Sequence, residues 1–253
     1  MVAASSKGLG LGIARELAKN GATVCMASRT KTEVETAAEV LRTETGATVY
    51  TSVFDAANAE SIQKWVSEVE TIFERIDGLV VNAGGPPPGN FDDFDDDDWQ
   101  AAFNLTLMSA VRLIRGVLPA MRAAGGGSVL TVTSMSVKEP VDRLLLSNVF
   151  RSGVTSLVKS LSNELAKENI RINNLLPGRI DTDRIKSLDR NIAEKNGISE
   201  EEVKGRNENG IPLRRYGTID EFGKAGAFLL SPAASYITGV SLAVDGGIMK
   251  TVW

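Results

Sequence analysis

Short β-type runs and amphipathic helical segments alternate along almost the whole 253-residue chain. That rhythm leaves little choice of architecture, because strands separated by helix-length crossovers pair in parallel. After a Gly-rich start, Leu11, Ile13, Ala14, Leu17 and Ala18 form one apolar helical face, Asn20-Gly21 closes it, and residues 23–27 read as a strand. Helix is predicted over 32–44 and strand over 48–53; Ile62, Trp65, Val66, Val69, Ile72 and Phe73 then recur at helical spacing before a strand at 79–81. A long helix over 96–122, a strand over 128–133, a second long helix over 145–168 and a strand over 172–176 continue the series, which ends with helix 220–230 and strand 241–244. The predicted fold class is α/β: a doubly wound, Rossmann-type parallel sheet of six or seven strands in a single domain over residues 1–253.

Two places depart from the rhythm. Residues 178–217 hold two short polar helices, predicted over 182–196 and 199–209. Open α/β sheets bind ligands at the carboxyl ends of their strands, so the insertion near 180–210 is expected to be a substrate lid, the alternative being an ordinary surface excursion. At the other end, only Met1 to Ala3 precede the Gly-rich turn, where such a sheet needs a full strand. We expect the natural chain to begin upstream of Met1, which a mass measurement on protein from its native source decides.

Composition narrows the chemistry. There is no histidine and a single cysteine, Cys25, which excludes Ser-His-Asp and Cys-His nucleophilic sites, His-ligated metals, CxxC redox pairs and an intramolecular disulfide. No metal site is expected. Hydrophobic and charged fractions of 43% and 24% are those of a globular chain. No apolar run approaches the roughly 18 residues of a membrane span, and no basic segment with an apolar core opens the chain. A cytoplasmic protein without membrane partners is therefore expected. The net charge of −4 is concentrated in Asp92, Asp93, Asp95, Asp96, Asp97 and Asp98, without which the balance is slightly positive, and no basic stripe marks a nucleic-acid surface. That acidic run is read either as charge favoured at a helix N-terminus or as a site for a cation or basic partner. Cys25, Trp65 and Phe73 are expected in the core, and Pro86-Pro87-Pro88-Gly89 either stiffens one wall of a substrate cleft or only routes the chain.

Ala4-Ser5-Ser6-Lys7-Gly8-Leu9-Gly10 follows the first strand and opens a helix. Gly8 and Gly10 permit positive φ and close backbone approach, and the helix N-terminus attracts a pyrophosphate. About 20 residues on, where dinucleotide folds read the ribose, the second strand ends in Ala27-Ser28-Arg29 with no carboxylate for two ribose hydroxyls. Lys7 in the first turn adds a second cation beside Ser28-Arg29. Two cations and no acid favour a 2′-phosphate, hence NADP(H) over NAD(H).

Taken together, these residues resemble the short-chain dehydrogenases/reductases along essentially the whole chain. Residues 3–10 are similar to the family's TGxxxGxG turn, with Ala3 and Ala4 where Thr and the first Gly belong. Asp55 stands where the family contacts adenine, and Asn82-Ala83-Gly84 matches the NAG motif. Asn104 falls at the structural and catalytic asparagine, and Ser134 at the catalytic serine. Pro177-Gly178, with Ile180 and Thr182, resembles the segment that clasps the nicotinamide and pyrophosphate, and Asp245-Gly246-Gly247 the C-terminal signature. The resemblance implies a homotetramer, or at least a homodimer, packed through the two long helices, and a small carbonyl or alcohol substrate.

One departure outweighs these matches. The family's tyrosine and lysine fall at Ser147 and Arg151, and no tyrosine lies between Tyr50 and Tyr216 to restore a YxxxK motif. Reducing a carbonyl builds an alkoxide that needs a proton donor and hydrogen bonds aimed at its oxygen. Ser147 and Arg151, four apart on a helix, share a face; Arg151 can supply the fixed positive charge and the ribose contacts of the coenzyme, but serine is a far weaker acid than tyrosine and arginine rarely deprotonates. Three readings follow. Ser134 and Ser147 orient the carbonyl and relay a proton from water through the Asn104 region, with Arg151 steadying the alkoxide. Alternatively Lys138, Glu139 or Asp142 supplies the proton, or the chain binds NADP(H) without redox chemistry as a scaffold or regulatory protein. The catalytic reading is preferred: an oxidoreductase of the carbonyl reductase type, resembling the 3-oxoacyl carrier-protein reductase branch, acting on an oxoacyl or sugar-like substrate.

Overall fold

Alternate residues of a buried parallel strand face opposite ways, so a sheet covered by helices on both sides needs two apolar cores. The structure, a computed structural model describing residues 1–252, has both. In chain order it runs β1 (Val2–Ala3), α1 (Gly8–Lys19), β2 (Val24–Ser28), α2 (Lys31–Thr45), β3 (Val49–Val53), α3 (Ala59–Ile72) and β4 (Gly78–Val81). It continues with α4 (Asp96–Ala102), α5 (Ser109–Ala123), β5 (Gly127–Val132), α6 (Leu145–Leu165) and β6 (Ile170–Pro177), then α7 (Asp183–Asn196), α8 (Glu200–Gly210), α9 (Ile219–Leu230) and β7 (Ser241–Val244). The seven strands form one parallel sheet in the order β3-β2-β1-β4-β5-β6-β7, a doubly wound Rossmann-type fold. Cys25, Ala27, Leu79, Val81 and Val129 face α3, α5 and α6; Val24, Met26, Val80, Leu130 and Val132 face α1, α2 and α9. Trp65 is fully buried, and burial also pushes the Cys25 thiol upward, which keeps it protonated.

β1 contributes only Val2 and Ala3, yet it pairs with β2 on one side and β4 on the other. The turn after it carries strain: Ala4 sits at φ 47°, a left-handed conformation costing an L-residue about 1–2 kcal/mol. Ala4→Gly is expected to raise unfolding free energy by about 0.5–1 kcal/mol, the relief being partly offset by the entropy of a more flexible unfolded chain. Denaturant unfolding checks it, and a destabilised variant would show that the turn is held without strain.

The helix predicted over 96–122 is interrupted. Between α4 and α5, residues 103–108 form a π-turn in which the Ser109 N–H donates to the Asn104 carbonyl. Ser109 Oγ in turn donates to the Leu105 carbonyl at 2.6 Å, taking up the acceptor that the widened turn leaves over. The stretch Asp96–Ala123 is long and apolar enough to cross a membrane, contrary to the reading that no run approaches that length. Its Ala110, Leu113, Ile114, Val117 and Met121 are buried in the protein core instead. The acidic run has a local role: Asp95 and Asp98 form a reciprocal capping box at the start of α4, and Asp93 closes another with Asn90.

α7 and α8 lie where the polar insertion was predicted, and they are tied down. Buried Asp189 accepts from Arg179 Nη1 and Asn207 Nδ2, each at 3.0 Å, and from the Tyr216 hydroxyl at 2.7 Å. Burial first, and the bond to Asp189 second, push the Tyr216 hydroxyl up to about 12. This network joins both insertion helices to the segments on either side of them.

Candidate active site

The carboxyl ends of β1, β2, β4, β5 and β6 line one edge of the sheet, and the chain there is held for close approach. A Cβ on Gly10 would stand 2.4 Å from the Ala4 carbonyl oxygen and 2.9 Å from Asn82 Nδ2, so only glycine lets α1 begin so near the first turn. Gly8 has φ 59°. Asn82 Nδ2 donates to the carbonyls of Ala3 and Ala4, bracing the turn from the neighbouring strand, and Ala83-Gly84 follow directly. The first turn of α1 contains no acidic residue, so its N-terminus remains open to an anion. Thr182 caps α7, its Oγ1 accepting from the Ile185 N–H, and Thr182 Cγ2 lies 3.7 Å from where a Gly8 Cβ would be. Ile180 is buried, and Gly178 abuts Asp245 and donates to the Val244 carbonyl. Thus the first turn, the NAG loop and the Pro177–Thr182 segment converge on one cradle whose shape and polarity fit a dinucleotide.

At the ribose end Ser28 is buried and donates to the Thr30 carbonyl, while Arg29 is exposed. Asp55, beyond β3, accepts from the Ala57 N–H. The structure adds an acid that the motif left out: Glu33 on α2 pairs with Lys7 Nζ at 3.5 Å and accepts from Ser6 Oγ. Its distance from the strand end hid it.

Ser147 and Arg151 sit on one face of α6, with Arg151 Nε donating to Ser147 Oγ at 3.1 Å. Arg151 Nη1 donates to the carbonyls of Val132 and Thr133 at 3.1 and 3.0 Å, which fixes the guanidinium beside the end of β5 and next to Ser134. Burial first, and Arg184 second, push Arg151 down to about 10, so it is charged at neutral pH. Ser134 Oγ accepts from the Ser136 N–H, leaving its own proton to donate.

The π-turn ahead of α5 brings Thr106 to this group. Thr106 lines a cavity of about 10 Å³ with Ser109, Thr131, Thr133 and Arg151, close to the size one water molecule needs. Its buried Oγ1 makes no hydrogen bond within the protein. Asn104 does not line the cavity, and its Oδ1 accepts from Arg112 Nη2 at 3.3 Å. The extra residue of the π-turn rotates the helix face, and simple spacing carries no sign of that. Lys138 and Asp142 are exposed, and Glu139 is engaged by the Lys250 N–H. The Pro86–Gly89 loop is tied to its surroundings: Arg184 on α7 donates to the Pro86 carbonyl, and the Gly89 N–H to that of Arg143.

A doubly wound sheet with a Gly-rich first turn, an NAG loop and a serine–arginine pair on the sixth helix defines a dinucleotide-binding oxidoreductase. The chain belongs to the short-chain dehydrogenase/reductase family. The family model described as enoyl-(acyl carrier protein) reductase matches residues 3–249. Dehydrogenase/reductase SDR family member 4 of Oryctolagus cuniculus is 34% identical, covering 98% of this chain and 92% of its own. L-sorbose reductase of Gluconobacter frateurii, solved with NADPH and L-sorbose, superposes with a TM-score of 0.94 at 32% identity, covering 99% of this chain and 96% of that one. A short-chain oxidoreductase of Pseudomonas aeruginosa PAO1, NADPH-bound and described as containing an atypical catalytic center, gives 0.89 at 27% identity with the same coverage.

Proposed function

We propose that this chain is an NADP(H)-dependent reductase of small carbonyl compounds that works without the family's tyrosine. The observation that carries the reading is Arg151, held by two strand carbonyls and bonded to Ser147 at the position where tyrosine and lysine act in the family. NADP(H) rather than NAD(H) is supported by the NADPH-bound relatives and by Arg29 at the ribose end, with Lys7 beside it paired with Glu33. Gly8, Leu9 and Gly10 would cradle the pyrophosphate with Ala4, Ser6 and Thr182. Ser28 and Arg29 would take the ribose phosphate, Asp55 the adenine, Asn82-Ala83-Gly84 the neighbouring ribose, and Pro177, Gly178 and Ile180 the nicotinamide. Bound NADPH supplies a hydride to the carbonyl carbon.

The protein's own groups serve the oxygen. Because Arg151 donates to Ser147 Oγ, the serine proton is free to point at the carbonyl, and Ser134 donates from the other side. The guanidinium charge stabilises the developing alkoxide. Arg151, though lowered to about 10, keeps its charge at neutral pH, so the proton comes from water by way of Ser147 and Ser134 and the Thr106 cavity. α7 and α8 act as the lid over the substrate, and a homotetramer packed through α4–α5 and α6 is the assembly this family resemblance supports.

NADPH consumption against ketones, 3-oxoacyl thioesters and sugar lactones tests this, run in parallel on the natural protein and a Ser147→Tyr/Arg151→Lys variant. Turnover by the natural protein is expected, with NADPH bound at least about 10-fold more tightly than NADH by calorimetry. Turnover by the variant alone would favour the second reading, an NADP(H)-binding protein without catalysis. The observation on that side is that Tyr216, one of three tyrosines in the chain, is committed to Asp189.

A further inference from the structure

Arg151 on α6 and Arg184 in the first turn of α7 meet beside Gly85. A Cβ on Gly85 would stand 3.2 Å from Arg184 Nη2 and 3.8 Å from Arg151 Nη2, so the two guanidinium groups approach the same side of the loop that follows Asn82. Two like charges this close repel, and the burial of Arg151 adds to the cost unless an acid lies between them, while Arg184 itself is exposed. Among the described residues neither arginine has a carboxylate within ion-pair distance. The acids nearest Arg184 in sequence are occupied or turned out: Asp181 pairs with Lys186, Asp189 with Arg179, and Asp183 is exposed.

Both side chains are nevertheless fixed. Arg151 is anchored through Nε and Nη1, and Arg184 through Nη2 on the Pro86 carbonyl. Arg151 Nη2 and Arg184 Nε and Nη1 carry no hydrogen bond among the described residues, and these are the donors left for a ligand. A planar carboxylate matches such forks, whereas a neutral group would leave both charges uncompensated.

We propose that Arg151 and Arg184 form a carboxylate-binding site and that the substrates are small oxo acids, reduced to hydroxy acids. The proposal rests on the reductase reading for the reaction, though not for the binding. In the reaction the carbonyl carbon gains a hydride from NADPH and its oxygen a proton, yielding the hydroxy acid and NADP⁺. Arg184, arriving from the lid, selects acids over neutral ketones.

The test is calorimetric titration of acetoacetate and of its methyl ester into the natural protein saturated with NADP⁺, repeated with Arg184→Met and Arg184→Lys. The acid is expected to bind at least about 10-fold more tightly than the ester, a preference that falls to within about threefold in Arg184→Met and largely survives in Arg184→Lys. Equal binding of acid and ester, or binding of neither, would each overturn the site, the latter by leaving the arginines to the coenzyme. NADPH consumption on the same two compounds separates the two proposals. Acid preference in binding without turnover leaves the site and sinks the reductase. Turnover without acid preference does the reverse.

Discussion

Gly223→Ala is expected to destabilise the protein by about 3 kcal/mol or more, lowering the unfolding temperature by roughly 6–12 °C for a chain of this size. α9 crosses α1 at this residue, and a Cβ there would lie 2.2 Å from the Gly12 carbonyl oxygen and 2.6 Å from its carbon. The contact is reciprocal, since a Cβ on Gly12 would lie 2.2 Å from the Ile219 carbonyl oxygen. Both obstacles are backbone, so no rotamer change relieves them, and the helices must separate by roughly 1 Å to restore van der Waals distance. That separation loosens Ile13 and Phe222, which are fully buried in the same core. It also shifts the start of α1, so NADPH affinity should fall with stability. Because the two glycines meet at one crossing, the Gly12→Ala/Gly223→Ala double variant should lose less than the sum of the singles. Thermal unfolding measures all three, and a Gly223→Ala change below about 1 kcal/mol would mean that the crossing is looser than the structure has it.

Arg151→Met is expected to lower kcat for carbonyl reduction by about 10²–10³-fold, the usual effect of removing a group that stabilises developing negative charge, without loss of stability. The fold holds this charge at a cost: Arg151 is pushed below the ordinary arginine range, by burial first and by Arg184 second. A base whose folded value is depressed contributes stability that rises with pH above that value, so below about 10 the full penalty is present. A neutral, similarly long side chain removes it at pH 7, offsetting the lost bonds to the Val132 and Thr133 carbonyls. In the natural protein the rate should fall as pH rises toward 10 and the guanidinium loses its charge, while residual activity of Arg151→Met should show no such fall. Unfolding temperature measured beside kcat decides the matter. A drop of several degrees with kcat little changed would make Arg151 a structural residue.

Much of the site's scaffold was legible because its signals are local. The Gly-rich turn, the Asn82-Ala83-Gly84 loop after β4 and Pro177-Gly178 after β6 each need particular residues within a few positions of one another, for backbone reasons that hold in any chain. The pair Ser147 and Arg151 was legible too, since four residues on a helix share a face. The surroundings of Asn104 were not legible by the same logic. Its helix contains a π-turn over residues 103–108 that advances the face, so Thr106 reaches the cavity while Asn104 turns to Arg112. Glu33 against Lys7, and Arg184 against the Pro86 carbonyl, come from elements that spacing does not connect.

The sequence by itself determined the α/β class, the parallel sheet, the polar insertion after β6 and the absence of a tyrosine–lysine pair. Periodicities of two and 3.6 residues and the identity of single residues are properties of short stretches. Only the tertiary structure decided that Gly12 faces Gly223, that Asp189 gathers Arg179, Asn207 and Tyr216, and that two arginines meet beside Gly85. Those relations depend on how separate crossovers pack onto one sheet, and that packing is settled by contacts between residues far apart in the chain, which no local pattern records.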